Sequence, residues 1–185
     1  MDFDLPPAND PRRLAVKQWL AGHPQPTATQ LVDAGYVVPH WPEPWGLNAD
    51  PLHQIIIDDE LAKAGVSRPA NQIGIGWAGP TLLTAGTEEQ KQRYLRPLLT
   101  GREIWCQMFS EPDAGSDLAN VATRAVRDGD EYVVNGSKIW TSGGHLSQFG
   151  ILIARTNPEV PKHEGISYFI CPTDLPGLTM TPIVD

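Results

Sequence analysis

Gln107-Met108-Phe109-Ser110-Glu111-Pro112-Asp113-Ala114-Gly115-Ser116-Asp117, answered downstream by Lys138-Ile139-Trp140-Thr141-Ser142, decides how the rest of the chain is read. Before this stretch the apolar residues recur at helical spacing; after it they fall in short β-rich runs. The first segment opens as an apolar strand, Ile104 to Phe109, and breaks into a loop of Pro, Asp, Gly and Ser. Glycine lets a backbone come close to a ligand, and its hydroxyl and carboxylate neighbours supply polar partners. The second segment reads as the returning arm of a strand pair that ends in an aromatic plate, Trp140, followed by the hydroxyls of Thr141 and Ser142.

Working outward toward the start, Pro11 to His23 reads as a helix with Leu14, Trp19 and Leu20 apolar among charges, stopped by Gly22 and Pro24. Trp41 and Trp45 stand among Pro39, Pro42 and Pro44, which excludes regular helix and predicts an ordered, aromatic-packed loop. Asp50-Pro51 is a helix start, a cap followed by proline at the first helical position. Leu52, Ile55, Ile56, Leu61 and Ala62 are its expected buried face, and Gly65 its end. Gly74-Ile75-Gly76-Trp77-Ala78-Gly79 matches G-x-G-x-x-G by letter. That fingerprint works only between a strand and a helix, with an acidic residue about 20 positions on. Here both neighbours read as helical, so the glycines are expected to serve close helix packing. Thr87-Glu88-Glu89-Gln90 is a capping box, and the helix it starts is expected to bend or stop at Pro97. The result is an all-helical domain over residues 1–102.

Residues 103–185 read as strands. Val121–Arg127 and Glu131–Val134 pair across the turn Asp128-Gly129-Asp130, Asn135-Gly136 turns again, and Lys138–Thr141 continues the sheet. Phe149–Arg155, Ile166–Cys171 and Leu178–Val184 supply three more strands, with Pro158, Pro161, Pro172 and Pro176 in the connections. The expected fold class is α+β, helices followed by a partial β-barrel or sandwich. Asn135-Gly136-Ser137 has the form of a glycosylation acceptor but is read as a turn.

The chain has 185 residues, 41% of them hydrophobic, enough for one or two cores. Its formal net charge of −8, with no basic cluster beyond Arg12-Arg13, speaks against nucleic acid. The start, Met1 to Pro7, is acidic and proline-rich rather than a signal peptide, and no apolar run is long enough for a membrane span, so a cytoplasmic location is expected. Cys106 and Cys171 lie in apparent strands and read as small buried residues rather than a disulfide. The five histidines show no ligand spacing, and no metal site is expected.

Phe109 to Asp117, the hairpin Gly129 to Lys138 and the triplet Trp140-Thr141-Ser142 together resemble the acyl-CoA dehydrogenase family of flavoenzymes, in order and in spacing. The resemblance covers nearly the whole chain but about half of a usual family protein. It implies a cofactor, FAD, held by the middle β-domain: Trp140 against the ring, Ser142 (usually Thr in the family) near its reducible nitrogen with Thr141 beside it, and Met108, Phe109 and Ser110 at the pyrimidine edge. It implies that Ser116 meets the coenzyme A part of an acyl-CoA substrate, or the FAD pyrophosphate, and that Glu111 is structural rather than catalytic. In the resembled proteins a glutamate removes the α-proton of the acyl-CoA while the β-hydrogen leaves as hydride to the flavin. That glutamate lies in a C-terminal helical domain, so no catalytic residue is expected within this sequence, which stops at Pro182-Ile183-Val184-Asp185 with the middle domain truncated. The implied partners are an electron-transfer flavoprotein and further subunits of a homo- or hetero-oligomer. An oxygen-using acyl-CoA oxidase relative and a non-catalytic subunit are the alternatives.

Overall fold

The computed structural model describes residues 6–183. Two compact units divide them: one runs to Asn71 and resumes over Gly79–Arg102, and the other comprises Gln72–Ala78 and the residues from Glu103 onward.

In the first unit, local signals set the helix ends. Asp10 caps α1 (Pro11–Gly22) by accepting from Arg12 N, and Asp50 caps α3 (Pro51–Lys63) by accepting from His53 N at 2.8 Å, each with proline just inside the helix. Thr27 and Gln30 form a capping box at α2 (Ala28–Asp33), a short helix that the sequence reading passed over. Beyond these come α4 (Gly79–Ala85) and α5 (Glu88–Leu99), the latter opened by the expected box of Thr87 and Gln90. The Pro39–Pro44 passage is an ordered loop, with Trp41 buried and its N–H on the Val38 carbonyl at 2.9 Å.

Three expectations need correcting in this unit. The buried face of α3 is Ile56, Ile57, Glu60 and Leu61, whereas Leu52 and Ile55 are exposed. In α1 it is Arg13 and Val16 that are buried, and Leu14 is exposed. One cause serves both: buried Arg13 forms ion pairs with Asp59 and buried Glu60, so an ionic contact rotates both faces away from the most apolar stripe. Pro97, third, does not end α5, which runs on to Leu99. It sits in the last turn, where few bonds follow it, and the Asn71 side chain donates to the Leu98 carbonyl at 2.8 Å.

In the second unit, a single turn of π-helix spans Gly74–Ala78, so no strand precedes the glycines and the dinucleotide reading fails on its context. Gly74 is buried, but a side chain at Gly76 would meet open space, so Gly76 has no packing role. Five strands form one mixed sheet: β1 (Trp105–Met108), β2 (Arg124–Asp128), β3 (Glu131–Asn135), β4 (Phe149–Arg155) and β5 (Ile166–Pro172). Strand β4 is central. It pairs parallel with β1 (Trp105 opposite Phe149), antiparallel with β5 (Ile151 opposite Ile170), and at its far end with β2 (Arg155 opposite Arg124). Strands β2 and β3 make the expected hairpin across Asp128–Glu131. The sheet curls until Tyr132 of β3 meets Phe169 of β5 edge-on, ring centroids 5.1 Å apart. Cys106, Met108, Leu152 and Cys171 form a core on one face, with Phe169, Leu178 and Met180 packed against it.

Two of the strands expected from the sequence are not formed. Residues 138–141 run without strand pairing, because Lys138 turns inward to a carboxylate and Trp140 takes a left-handed backbone. Residues 178–183 are irregular as well, and Leu178 and Met180 contribute side chains to the core rather than a ladder; Val184 lies outside the described residues. Pro172 is the last residue of β5 rather than part of a connection.

Candidate functional site

The site is built where β1 ends. Past Met108 the chain leaves the sheet, and Glu111 turns its carboxylate inward, 7% exposed. It accepts from Ala122 N (2.6 Å), Thr123 N (3.0 Å) and Lys138 Nζ (2.7 Å). Lys138 also donates to the Phe109 carbonyl at 3.0 Å, and Ile139 N donates to the Ser110 carbonyl at 2.9 Å. Three segments far apart in sequence are thereby fastened at one carboxylate. Gly136 completes the fit: a Cβ there would stand 2.7 Å from the Thr123 Cα, so only glycine lets the return from the hairpin lie on this segment.

Burial by itself pushes the Glu111 carboxyl up, but Lys138, Thr123 and the N–H groups of Ala122 and Thr123 outweigh it and hold it at about 2. Burial pulls the Lys138 ammonium below the ordinary lysine value, and Glu111 opposes that pull. Glu111 is therefore ionised at neutral pH, and it stays bonded to Lys138. This matches the reading of Glu111 as a structural carboxylate and leaves it unsuited to proton transfer, for which a catalytic base is poised near the working pH.

Just past this knot the backbone of Trp140 has φ of 60°, and its indole is 71% exposed. A bulky residue in the left-handed region is a point of strain, and such points gather at ligand contacts. Ser142 N donates to the Trp140 carbonyl and Gly144 N to the Thr141 carbonyl, each at 3.0 Å, so the hydroxyl-bearing pair lies in two successive tight turns. Ser142 is exposed and Thr141 half-buried.

Of the site residues expected from the sequence, Ser110 and Trp140 are brought together, joined through the Ile139 bond. Phe109 packs edge-on to Tyr168 at 6.3 Å. The Met108 side chain belongs to the core cluster, which leaves only its backbone to meet a ligand. Ser116 is exposed on its own loop, whose neighbour Asp117 pairs with Lys162 at 2.8 Å, and it shares no hydrogen bond with the Ser110–Trp140 pair. Lys138 went unassigned in the sequence reading. It opens the strand-like stretch Lys138–Thr141 and is 27 residues from its partner, so no local pattern marks it. Among the described residues no group of three or more His, Cys, Asp or Glu could hold a metal ion. No helix there is long and apolar enough to cross a membrane.

Residues 11–102 match the acyl-CoA dehydrogenase N-terminal domain, and residues 106–185 match the middle domain of the same proteins. The chain belongs to the acyl-CoA dehydrogenase family. Among its curated relatives, the acyl-CoA dehydrogenase FadE34 of Mycobacterium tuberculosis is 47% identical over 153 residues, covering 83% of this chain and 21% of the relative. Among solved structures, the ChsE4-ChsE5 complex from Mycobacterium tuberculosis superposes with a TM-score of 0.76 at 35% identity, over 100% of this chain and 51% of that one. The Tcur3481-Tcur3483 steroid ACAD gives 0.75 at 37%, over 99% and 52%. A glutaryl-CoA dehydrogenase from Mycobacterium smegmatis in complex with FADH2 gives 0.63 at 27%, over 94% and 46%. The chain thus spans about half the length of the solved relatives and a smaller part of the curated one.

Proposed function

We propose that this chain is the FAD- and acyl-CoA-facing part of an acyl-CoA dehydrogenase that works as one subunit of a larger assembly on bulky, steroid-like acyl-CoA thioesters. The observation that carries the flavin reading is Trp140, a largely exposed indole on a left-handed backbone, bonded through its neighbour to Ser110 and followed by two hydroxyl residues. The residues present fit an isoalloxazine, which needs an apolar wall on one face and hydrogen-bond partners at its edge. Trp140 supplies the wall, and Ser110, Thr141 and Ser142 supply the partners, with the backbone of Met108 and Phe109 beside them. When bound, FAD supplies the hydride acceptor for α,β-desaturation. Ser116 is the contact for the coenzyme A thioester. No residue of this chain is assigned as the catalytic base.

The assembly and substrate reading rests on the relatives. The ChsE4-ChsE5 complex and the Tcur3481-Tcur3483 steroid ACAD are each named for two components, and both superpose on nearly all of this chain. An electron-transfer flavoprotein is the electron acceptor that the family resemblance implies; oxygen uptake in its place by the assembled enzyme would contradict that part.

The flavin reading is tested by titrating FAD into the chain and into Trp140→Ala, following flavin fluorescence. Loss of the indole should weaken binding by roughly 5- to 150-fold, the range for removing about 1–3 kcal/mol of stacking. Equal affinity of the two proteins would remove Trp140 from the flavin site.

A further inference from the structure

In an extended chain, residues two apart share a face. Lys138 and Trp140 do not: the Lys138 side chain is 9% exposed, whereas Trp140 is 71% exposed. The left-handed turn at Trp140 is what sends the indole outward while Lys138 points in. Such a backbone is disfavoured for a residue with a Cβ and persists only where its surroundings over-determine it. Among the described residues no aromatic ring is stacked on the Trp140 indole to hold it there.

The restraint that is present lies one step back. We infer that Glu111 and Lys138 are a positioning pair, whose buried ion pair locks the end of β1 against residues 138–140 and so presents Trp140 and Ser110 as one preformed surface. The inference rests on the flavin reading for its function but not for its geometry. Lys138 spends its charge on Glu111 at 2.7 Å and on the Phe109 carbonyl at 3.0 Å, and both acceptors flank Ser110. Ile139, between Lys138 and Trp140, donates to the carbonyl of Ser110 itself. On its other side the carboxylate takes the N–H groups of Ala122 and Thr123, against which Gly136 is laid, so the strand end and the return from the hairpin are both fixed to one buried group. Removing either charge frees the two residues ahead of Trp140, and the backbone there relaxes toward ordinary extended geometry. A site held by such a supporting shell gains affinity because less ordering is left for the moment of binding.

The test uses the chain Met1–Asp185 labelled with 5-fluorotryptophan, with Trp140→Phe assigning one of six fluorine resonances. In Lys138→Met and in Glu111→Gln the Trp140 resonance should shift and broaden while the other five of the six tryptophans keep their positions. Lys138→Arg, which keeps the charge, should restore it. FAD affinity should fall roughly tenfold in the first two variants, as for outer-shell partners of a bound group. An unchanged Trp140 resonance in either folded variant overturns the inference, as does a common shift of all six, which would make the pair a support of the fold at large. If Lys138→Met fails to fold, Glu111→Gln and Lys138→Arg decide the matter by the same resonance. Should the resonance respond as expected while Trp140→Ala leaves FAD affinity unchanged, the positioning stands and the flavin reading alone falls.

Discussion

At the scale of single residues, the consequential group is the buried carboxylate at the end of β1. Glu111 is buried, takes three donors from two remote segments and is held ionised down to about pH 2. Its folded pKa lies below the ordinary value of 4.5, so its contribution to stability is fully present above that value and is lost as pH falls toward 2. The shift corresponds to about 3 kcal/mol. Acid titration followed by far-UV circular dichroism should therefore show wild type losing stability between about pH 4.5 and 2. Glu111→Gln should start less stable and lose less there. Equal acid sensitivity in the two proteins would mean that other carboxylates govern the transition.

At the scale of elements, the π-turn Gly74–Ala78 separates two ideas that the glycine spacing alone runs together. Gly74 is buried, yet Gly76 is exposed, with nothing within 4 Å of where a Cβ would stand. Its φ is not in the left-handed range, so the backbone already suits an ordinary residue. Glycine at such a helical position costs roughly 0.5–1 kcal/mol relative to alanine through the entropy of the unfolded chain. Gly76→Ala should raise the melting temperature slightly and leave FAD affinity as it was. A fall in stability would show a packing demand at this position that the geometry lacks, and a selective loss of FAD binding would reopen the phosphate-loop reading.

At the scale of the whole molecule, the chain has two units, each with its own buried residues, so one melting temperature need not describe both. The two cysteines report on the unit that carries the sheet. Cys106 and Cys171 are free and buried in one core cluster, and burial pushes both thiols up, so little reactive thiolate is present at neutral pH. An aromatic disulfide reagent should leave both untouched in the native chain and label them in step with loss of the sheet's circular dichroism signal in urea. Prompt labelling of two thiols per chain in native buffer would contradict the packing of β1, β4 and β5.

What the sequence by itself determined is what neighbouring residues decide among themselves. Caps and prolines bound the helices at Asp10, Asp50 and Thr87, the Asp128–Glu131 turn closes the hairpin, and Phe109 to Asp117, the hairpin Gly129 to Lys138 and Trp140-Thr141-Ser142 carry the family likeness. Only the tertiary structure decided the rest, because those choices depend on partners remote in sequence. Arg13 meets Glu60 and so turns Leu14, Leu52 and Ile55 outward against the apolar pattern. Residues 138–141, patterned like a strand, give up the ladder because an ion pair with Glu111 holds Lys138 inside, and a left-handed turn at Trp140 then sends the indole into solvent. A buried charge must find its counter-charge wherever the chain brings one, and that demand outweighs local periodicity without leaving a trace in it.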